Sequence, residues 1–240
     1  MDIEIVPPVK TNKVRDMMEA VLIMPRFIDV SHAVEAGMVT YPGLPEPRVE
    51  TVFDYQQSRA RYADQAEFYI ASLHMCGNTG TYVDAPVHRF RRATDIANLP
   101  LERLAHLPVI VIDAVDAEAI GPEAFRASDV AGKAVLVHTG FSRHWRTERY
   151  LQDNPYLTRA ACEALRDAGA AFVGIDSLNI DDTRDLARPA HTTLLAAGIP
   201  ICEHMTNLAA APRLGGHLHA VPFKWVGGAS CPVRAYIVAD

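Results

Sequence analysis

The chain has 240 residues, 49% hydrophobic and 22% charged, the balance of a folded globular protein and not of a disordered one. Its 23 basic and 29 acidic residues leave a net charge of −6, which excludes a general attraction to nucleic acid or to an anionic membrane. No apolar run reaches the roughly 18 residues of a bilayer span, and the start, MDIEIVPPVK, lacks the basic-then-apolar order of a secretory signal, so a cytoplasmic protein is expected.

Residues 1–25 read as an N-terminal extension. Pro7 and Pro8 break early structure, and Val14, Met17, Met18, Val21 and Leu22 then fall on one face of a short helix over 12–24. That face would pack on the chain's own core or on a neighbouring subunit. From residue 26 onward the pattern predicts one α/β domain with a mixed sheet, reaching to residue 240. Strands are expected at 27–31 and 67–75, the second followed by a turn at Gly77 and Gly80. Short, wholly apolar runs at 109–113, 134–138 and 172–176 read as buried strands. Thr158 caps a helix burying Ala161, Cys162, Leu165 and Ala168, with Gly169 ending it. A second helix over 191–197, a strand at 199–203 and a last strand at 235–238 complete a strand–helix alternation that implies parallel pairing. Cys76, Cys162, Cys202 and Cys231 are widely spaced with no CxxC, as reduced core residues are.

Chemistry concentrates in His74–His88, a polar, glycine-rich stretch directly after a strand. Tyr82 and Asp84 face one side of an extended chain; His74, Cys76 and Asn78 also share a side. Asp176 and Glu203 sit at the carboxyl ends of successive strands, and His191 opens the helix between them, where ligands of parallel sheets bind. Carboxylates and imidazoles converging there suit Zn²⁺ or Mn²⁺. Arg89 opens a short basic run with Arg91 and Arg92, either solvated or suited to a carboxylate substrate. Trp225 with Phe223 forms a pocket wall or core, and His217 and His219 fall in a glycine-rich stretch expected to be an exposed loop.

The segment Gly80-Thr-Tyr-Val-Asp-Ala-Pro-Val-His88 resembles the signature H-x-G-T-H-x-D-x-P-x-H of the metal-dependent cyclase superfamily, which includes kynurenine formamidases and isatin hydrolases. The resemblance extends through Asp29–His32, Tyr41–Gly43, Gly174–Asp176, His191–Glu203 and Asn207-Leu208, in the family's order over roughly 26–240. It implies a swivelling β/β/α catalytic domain and a hydrolase of a small amide, lactam, ester or lactone, commonly a homodimer or homotetramer. Carried over by position, Asp84, His191 and Glu203 match metal ligands and His88 the general acid/base. Asn78 and Tyr82 stand where the family has two ligand histidines. Three arrangements follow: one divalent metal on Asp84, His191 and Glu203; His74 standing in for a missing imidazole; or no metal, with Tyr82, Asp84, His88, His191 and Glu203 acting directly. In the first, Tyr82 donates to the developing oxyanion, while Asn78, His74, Arg89 and Trp225 contact substrate. The alternatives are a metal-independent lyase, isomerase or cyclase on this fold, and a small-molecule-binding protein without catalysis.

Overall fold

Runs of residues without a polar face have nothing to offer water on either side, so they settle in the middle of a sheet covered on both faces. The computed structural model, which describes residues 25–239, places three such runs side by side. The helix expected over 12–24 lies outside the described residues. In chain order the elements are β1 (Arg26–Asp29), β2 (Arg48–Phe53), α1 (Tyr55–Arg61), β3 (Ile70–His74), β4 (Tyr82–Asp84), β5 (Leu107–Asp113), β6 (Ala119–Ile120), β7 (Ala134–His138), β8 (Tyr156–Leu157), α2 (Arg159–Asp167), β9 (Phe172–Ile175), α3 (Pro189–Ala196), β10 (Ile201–Glu203), β11 (Leu214–His219), β12 (Ser230–Pro232) and β13 (Tyr236–Ala239).

Nine strands form one mixed sheet in the order β1-β13-β11-β5-β7-β9-β10-β4-β12. Its centre, β5-β7-β9-β10, is parallel, as the strand–helix alternation requires. The flanking pairs are antiparallel. Alternation along the central strands separates two apolar layers. Ile110, Ile112, Val135, Val137, Val173 and Ile175 face α2 and α3, meeting Cys162, Leu165, Leu194 and Leu195. Val109, Val111, Leu136 and Phe172 face the other way, into a cluster that also takes Ile28 and Val30 from one end of the sheet and Val83 and Cys231 from the other. The sheet therefore curls. A bridge between Ser31 and Met205, and a 2.9 Å bond from the His32 amide to Thr81 Oγ1, tie its ends together.

Thr158 caps α2 by accepting a bond from the Ala161 amide. The expected fourth buried position, Ala168, is exposed, because the helix stops at Asp167 and Ala168 is its C-cap. The stretch holding His217 and His219 is strand β11 and not a loop: Gly216 and Leu218 are buried on one side while both histidines are half-buried on the other. Glycines at 215 and 216 conceal that alternation in the sequence. The expected strand at 67–75 forms as β3, but it pairs only with β2. These two strands and α1 make an arm outside the main sheet, with Val49, Val52, Tyr55, Tyr62, Tyr69 and Leu73 exposed.

A candidate active site on strand β4

Strand β4 is three residues long and lies between β10 and β12, and its register builds the site. Tyr82 stands opposite Glu203 on one side, and Asp84 opposite Ser230 on the other. The loop leading into β4 reaches this position because residue 77 is glycine: a Cβ there would fall on the Ser230 carbonyl. Gly80, at φ +65, then makes the left-handed turn that an L side chain resists. After β4, Pro86 starts a single 3₁₀ turn that returns His88 to within 3.6 Å of Asp84 Oδ1.

His191 arrives from the first turn of α3. The helix is capped by Asp181, whose carboxylate accepts bonds from the amides of Ala190 (2.6 Å) and His191 (3.2 Å) and from His191 Nδ1 (2.6 Å). One acid thus both caps the helix and fixes the ring, leaving Nε2 aimed at the site. Nε2 lies 3.6 Å from Asp84 Oδ2 and 3.6 Å from Glu203 Oε1. Glu203 accepts bonds from the Ile180 amide (2.7 Å) and from the Tyr82 hydroxyl. Asp84 Oδ2 is buried with no hydrogen-bond partner.

Charge balance here is set by burial and crowding. Burial alone would lower His191, but the carboxylates of Glu203, Asp181 and Asp84 outweigh it and raise its pKa to about 10. Burial lifts Glu203 to about 7 against the opposing pull of His191. Burial also presses Asp84 upward, yet His88 and His191 together hold it below the usual carboxylate value. Tyr82 is pushed well above 10 by burial and by its acidic neighbours, so it is a neutral phenol. The protonated His191 ring supplies the positive charge between the Asp84 and Glu203 carboxylates, and a divalent metal would take its place by displacing the Nε2 proton. Oxygen and nitrogen donors of this kind fit a divalent metal such as Zn²⁺ or Mn²⁺. Asp84, His88 and His191 each bring one ligand atom to within 4.8 Å of the others. Glu203, expected in the set with Asp84 and His191, stands at its edge because Tyr82 and the Ile180 amide draw its oxygens aside.

Ser230, which nothing in the sequence singles out, decides the state of His88. Its hydroxyl donates to Asp84 Oδ1 and accepts from Asn78 Nδ2 at 3.1 Å. With its one proton spent on Asp84, the 3.1 Å contact with His88 Nδ1 must be donated by the histidine. The network therefore assigns neutral His88 an Nδ1–H and a lone pair on Nε2, the form of a general base. The His88 side chain is 32% exposed, whereas those of Asp84, His191 and Glu203 are 0%, 7% and 1% exposed. It is the group of the four most open to solvent and substrate.

His88, His191 and Glu203 line a cleft of about 260 Å³, while Asp84 and Ser230 are buried beside them and off its wall. Asn78, Tyr82, His88, Arg89, His191 and Glu203 of the expected residues are on its wall. Tyr41, Leu44, Asn179 and Arg188, none of which was expected in a site role, join them. The structure does not bring His74 or Trp225 to it. His74 is carried away on β3, exposed, beside Glu50 at 3.7 Å, so it does not replace a missing imidazole. Trp225 lies in a separate hollow with Phe223, Leu73 and Pro232. Tyr82 reaches the cleft, but its proton is donated to Glu203 and not held free for an oxyanion. Asp176 is absorbed by Thr139 and the Gly140 amide at 2.6–3.0 Å and stays out of the cleft. Asp181 was missed because helix capping across ten residues leaves no periodic signal.

Residues 28–182 match the Cyclase family model. The kynurenine formamidase of Salinibacter ruber is 29% identical over 212 residues, covering 88% of this chain and 96% of its own. That of Geobacillus thermodenitrificans is 27% identical over 214 residues, covering 89% and 97%. Among solved structures, isatin hydrolase A from Labrenzia aggregata superposes with a TM-score of 0.77 at 21% identity, over 95% of this chain and 99% of its own, a likeness of fold.

Proposed function

Because the chain belongs to the Cyclase family, we propose that it hydrolyses a small amide, with His88 as general acid/base beside at most one divalent metal. The observation that carries this reading is the Ser230 network, which puts the proton on His88 Nδ1, the nitrogen 3.6 Å from Asp84, and leaves Nε2 as a lone pair. Asp84 and His191, with Glu203 drawn in from the edge of the set, would hold the metal, which would supply polarisation of a carbonyl and a lowered pKa for water. Asp181 keeps the His191 ring turned, and Tyr82 keeps Glu203 in place as a neutral donor. His88 Nε2 takes a proton from the attacking water as its oxygen bonds to the carbonyl carbon. The same proton returns to nitrogen as the C–N bond breaks, and acid and amine leave. The kynurenine formamidases among its relatives support an amide, and specifically a formamide, as the bond cleaved.

Four free cysteines support a reducing compartment such as the cytoplasm. Among the described residues no helix is long and apolar enough to cross a membrane. The exposed apolar residues of the β2–α1–β3 arm support a homo-oligomer in which the arm is covered. The test of the metal is stoichiometry in wild type and in Asn78→His with Tyr82→His. The expected result is no more than about one weakly held Zn²⁺ or Mn²⁺ per wild-type chain and more in the double variant, since imidazole is the better ligand. The test of the reaction is formate release from formanilide or 2-formamidobenzoate, with either metal supplied. Two tightly bound metals per wild-type chain would overturn the one-metal reading, and no formate release from either would overturn the reaction.

A further inference from the structure

We infer that the mouth of the cleft is an anion clamp made by Arg188 and Arg89, and that the substrate amide carries a carboxylate; this rests on the hydrolase reading. Both arginines line the cleft. Arg188 donates to Asn179 Oδ1 at 3.4 Å and to the Tyr41 hydroxyl at 3.3 Å; Arg89 donates to Thr192 Oγ1 at 3.0 Å and to the Ala187 carbonyl at 3.5 Å. All four acceptors are neutral. Among the described residues neither guanidinium has a carboxylate within 4 Å, whereas Arg143, Arg184 and Arg234 each pair with an acid. A guanidinium has five donors, so each of the two keeps several unspent.

The backbone shows the same thing. Arg188 has φ 49 and ψ 61, a left-handed conformation that a long L side chain rarely adopts. That turn carries the Arg188 side chain over the cleft to Tyr41, on a loop far away in sequence. Arg89, by bonding the carbonyl of Ala187, brings its charge to the same segment. Two like charges are thus gathered on one rim with no carboxylate in contact; Asp182, which Arg188 helps hold low, is itself bonded to Arg184.

The opposite pole of the cleft fixes the direction of binding. Asp84 and Glu203 at the inner end are matched by His191 or by the metal they would hold, so the unpaired positive charge of the cleft is at the rim. Arg89 follows His88 directly and Arg188 precedes His191 by three residues, so the clamp stands close to the reacting groups. Tyr41 and Leu44 give the apolar body of the ligand a wall between the two poles. The geometry favours a compact amide with its scissile carbonyl inward and a carboxylate at the mouth, held by the planar forks of arginine.

Two readouts test this. The first is binding of benzoate, followed by calorimetry at low and high salt. Wild type is expected to bind it, more weakly as salt rises, and Arg188→Met with Arg89→Met to lose at least tenfold in affinity. Arg188→Lys, which keeps charge without the fork, should fall between. The second is kcat/KM for 2-formamidobenzoate against formanilide, where the wild-type preference for the anion is expected to collapse in the double variant. Equal hydrolysis of both formamides with unaltered benzoate affinity in the variant would overturn the clamp and leave the hydrolase reading intact. Benzoate affinity lost in the variant, with neither formamide hydrolysed by wild type, would support the clamp and overturn the hydrolase reading.

Discussion

Ser230 has one proton and two lone pairs, and Asp84, Asn78 and His88 use them all. Removing the hydroxyl leaves Asp84 Oδ1 short of a donor and frees the His88 ring to change tautomer. Ser230→Ala is therefore expected to lower kcat about ten- to a hundredfold, the range seen when an outer hydrogen-bond partner of a reacting group is lost. As a positioning residue it should also shift the acid limb of the pH–rate profile, which a purely structural role would not move. An unchanged profile with an unchanged rate would remove Ser230 from the account. Of the candidates read from the sequence, His88, His191 and Glu203 line one cleft, and Asp84 is buried beside them within ligand distance of His88 and His191. Ser230, Asp181 and Arg188 were not legible there. Their roles depend on strand register, on a cap and on a left-handed turn, none of which leaves a spacing to read.

Elements made of continuous apolar residues were the readable ones. β5, β7 and β9 lie within a residue or two of their expected places because such runs are stable only when buried on both faces. β11 was missed because its glycines hide a period of two, and β4 because a three-residue strand has too few positions to show one. β4 holds its place through the approach of the preceding loop to β12. Gly77→Ala would drive a methyl onto the Ser230 carbonyl, and since the atom met is backbone, the loop must shift. A loss of about 1–3 kcal/mol in urea-unfolding free energy is expected, together with reduced activity as Asn78 and Ser230 part. Wild-type stability and wild-type rate in this variant would show that the loop is not pinned there.

For the whole molecule, acid should be more damaging than the net charge suggests, because the sheet closes over imidazoles that cannot take a proton. His204 is fully buried, with Nδ1 3.0 Å from the Tyr150 hydroxyl and Nε2 unpartnered. Burial, with a smaller push from His32, lowers its pKa to about 3. The folded value lies below the unfolded value of about 6.5, so between the two the unfolded chain binds the proton and stability falls as pH falls. From this group alone the loss is about 2 kcal/mol by pH 5. His204→Gln should flatten the fall between pH 7 and pH 5 by that amount; an equal fall in both proteins would place the acid sensitivity elsewhere. The central claim is that the curled sheet assembles a hydrolytic site whose proton is carried by His88. Its most direct test is formate release from formanilide by wild type and His88→Gln, each supplied with the same metal and shown to bind it equally. The predicted result is a fall in kcat of about 10²- to 10⁴-fold with metal content unchanged. A His88→Gln variant that turns over at the wild-type rate would contradict the account.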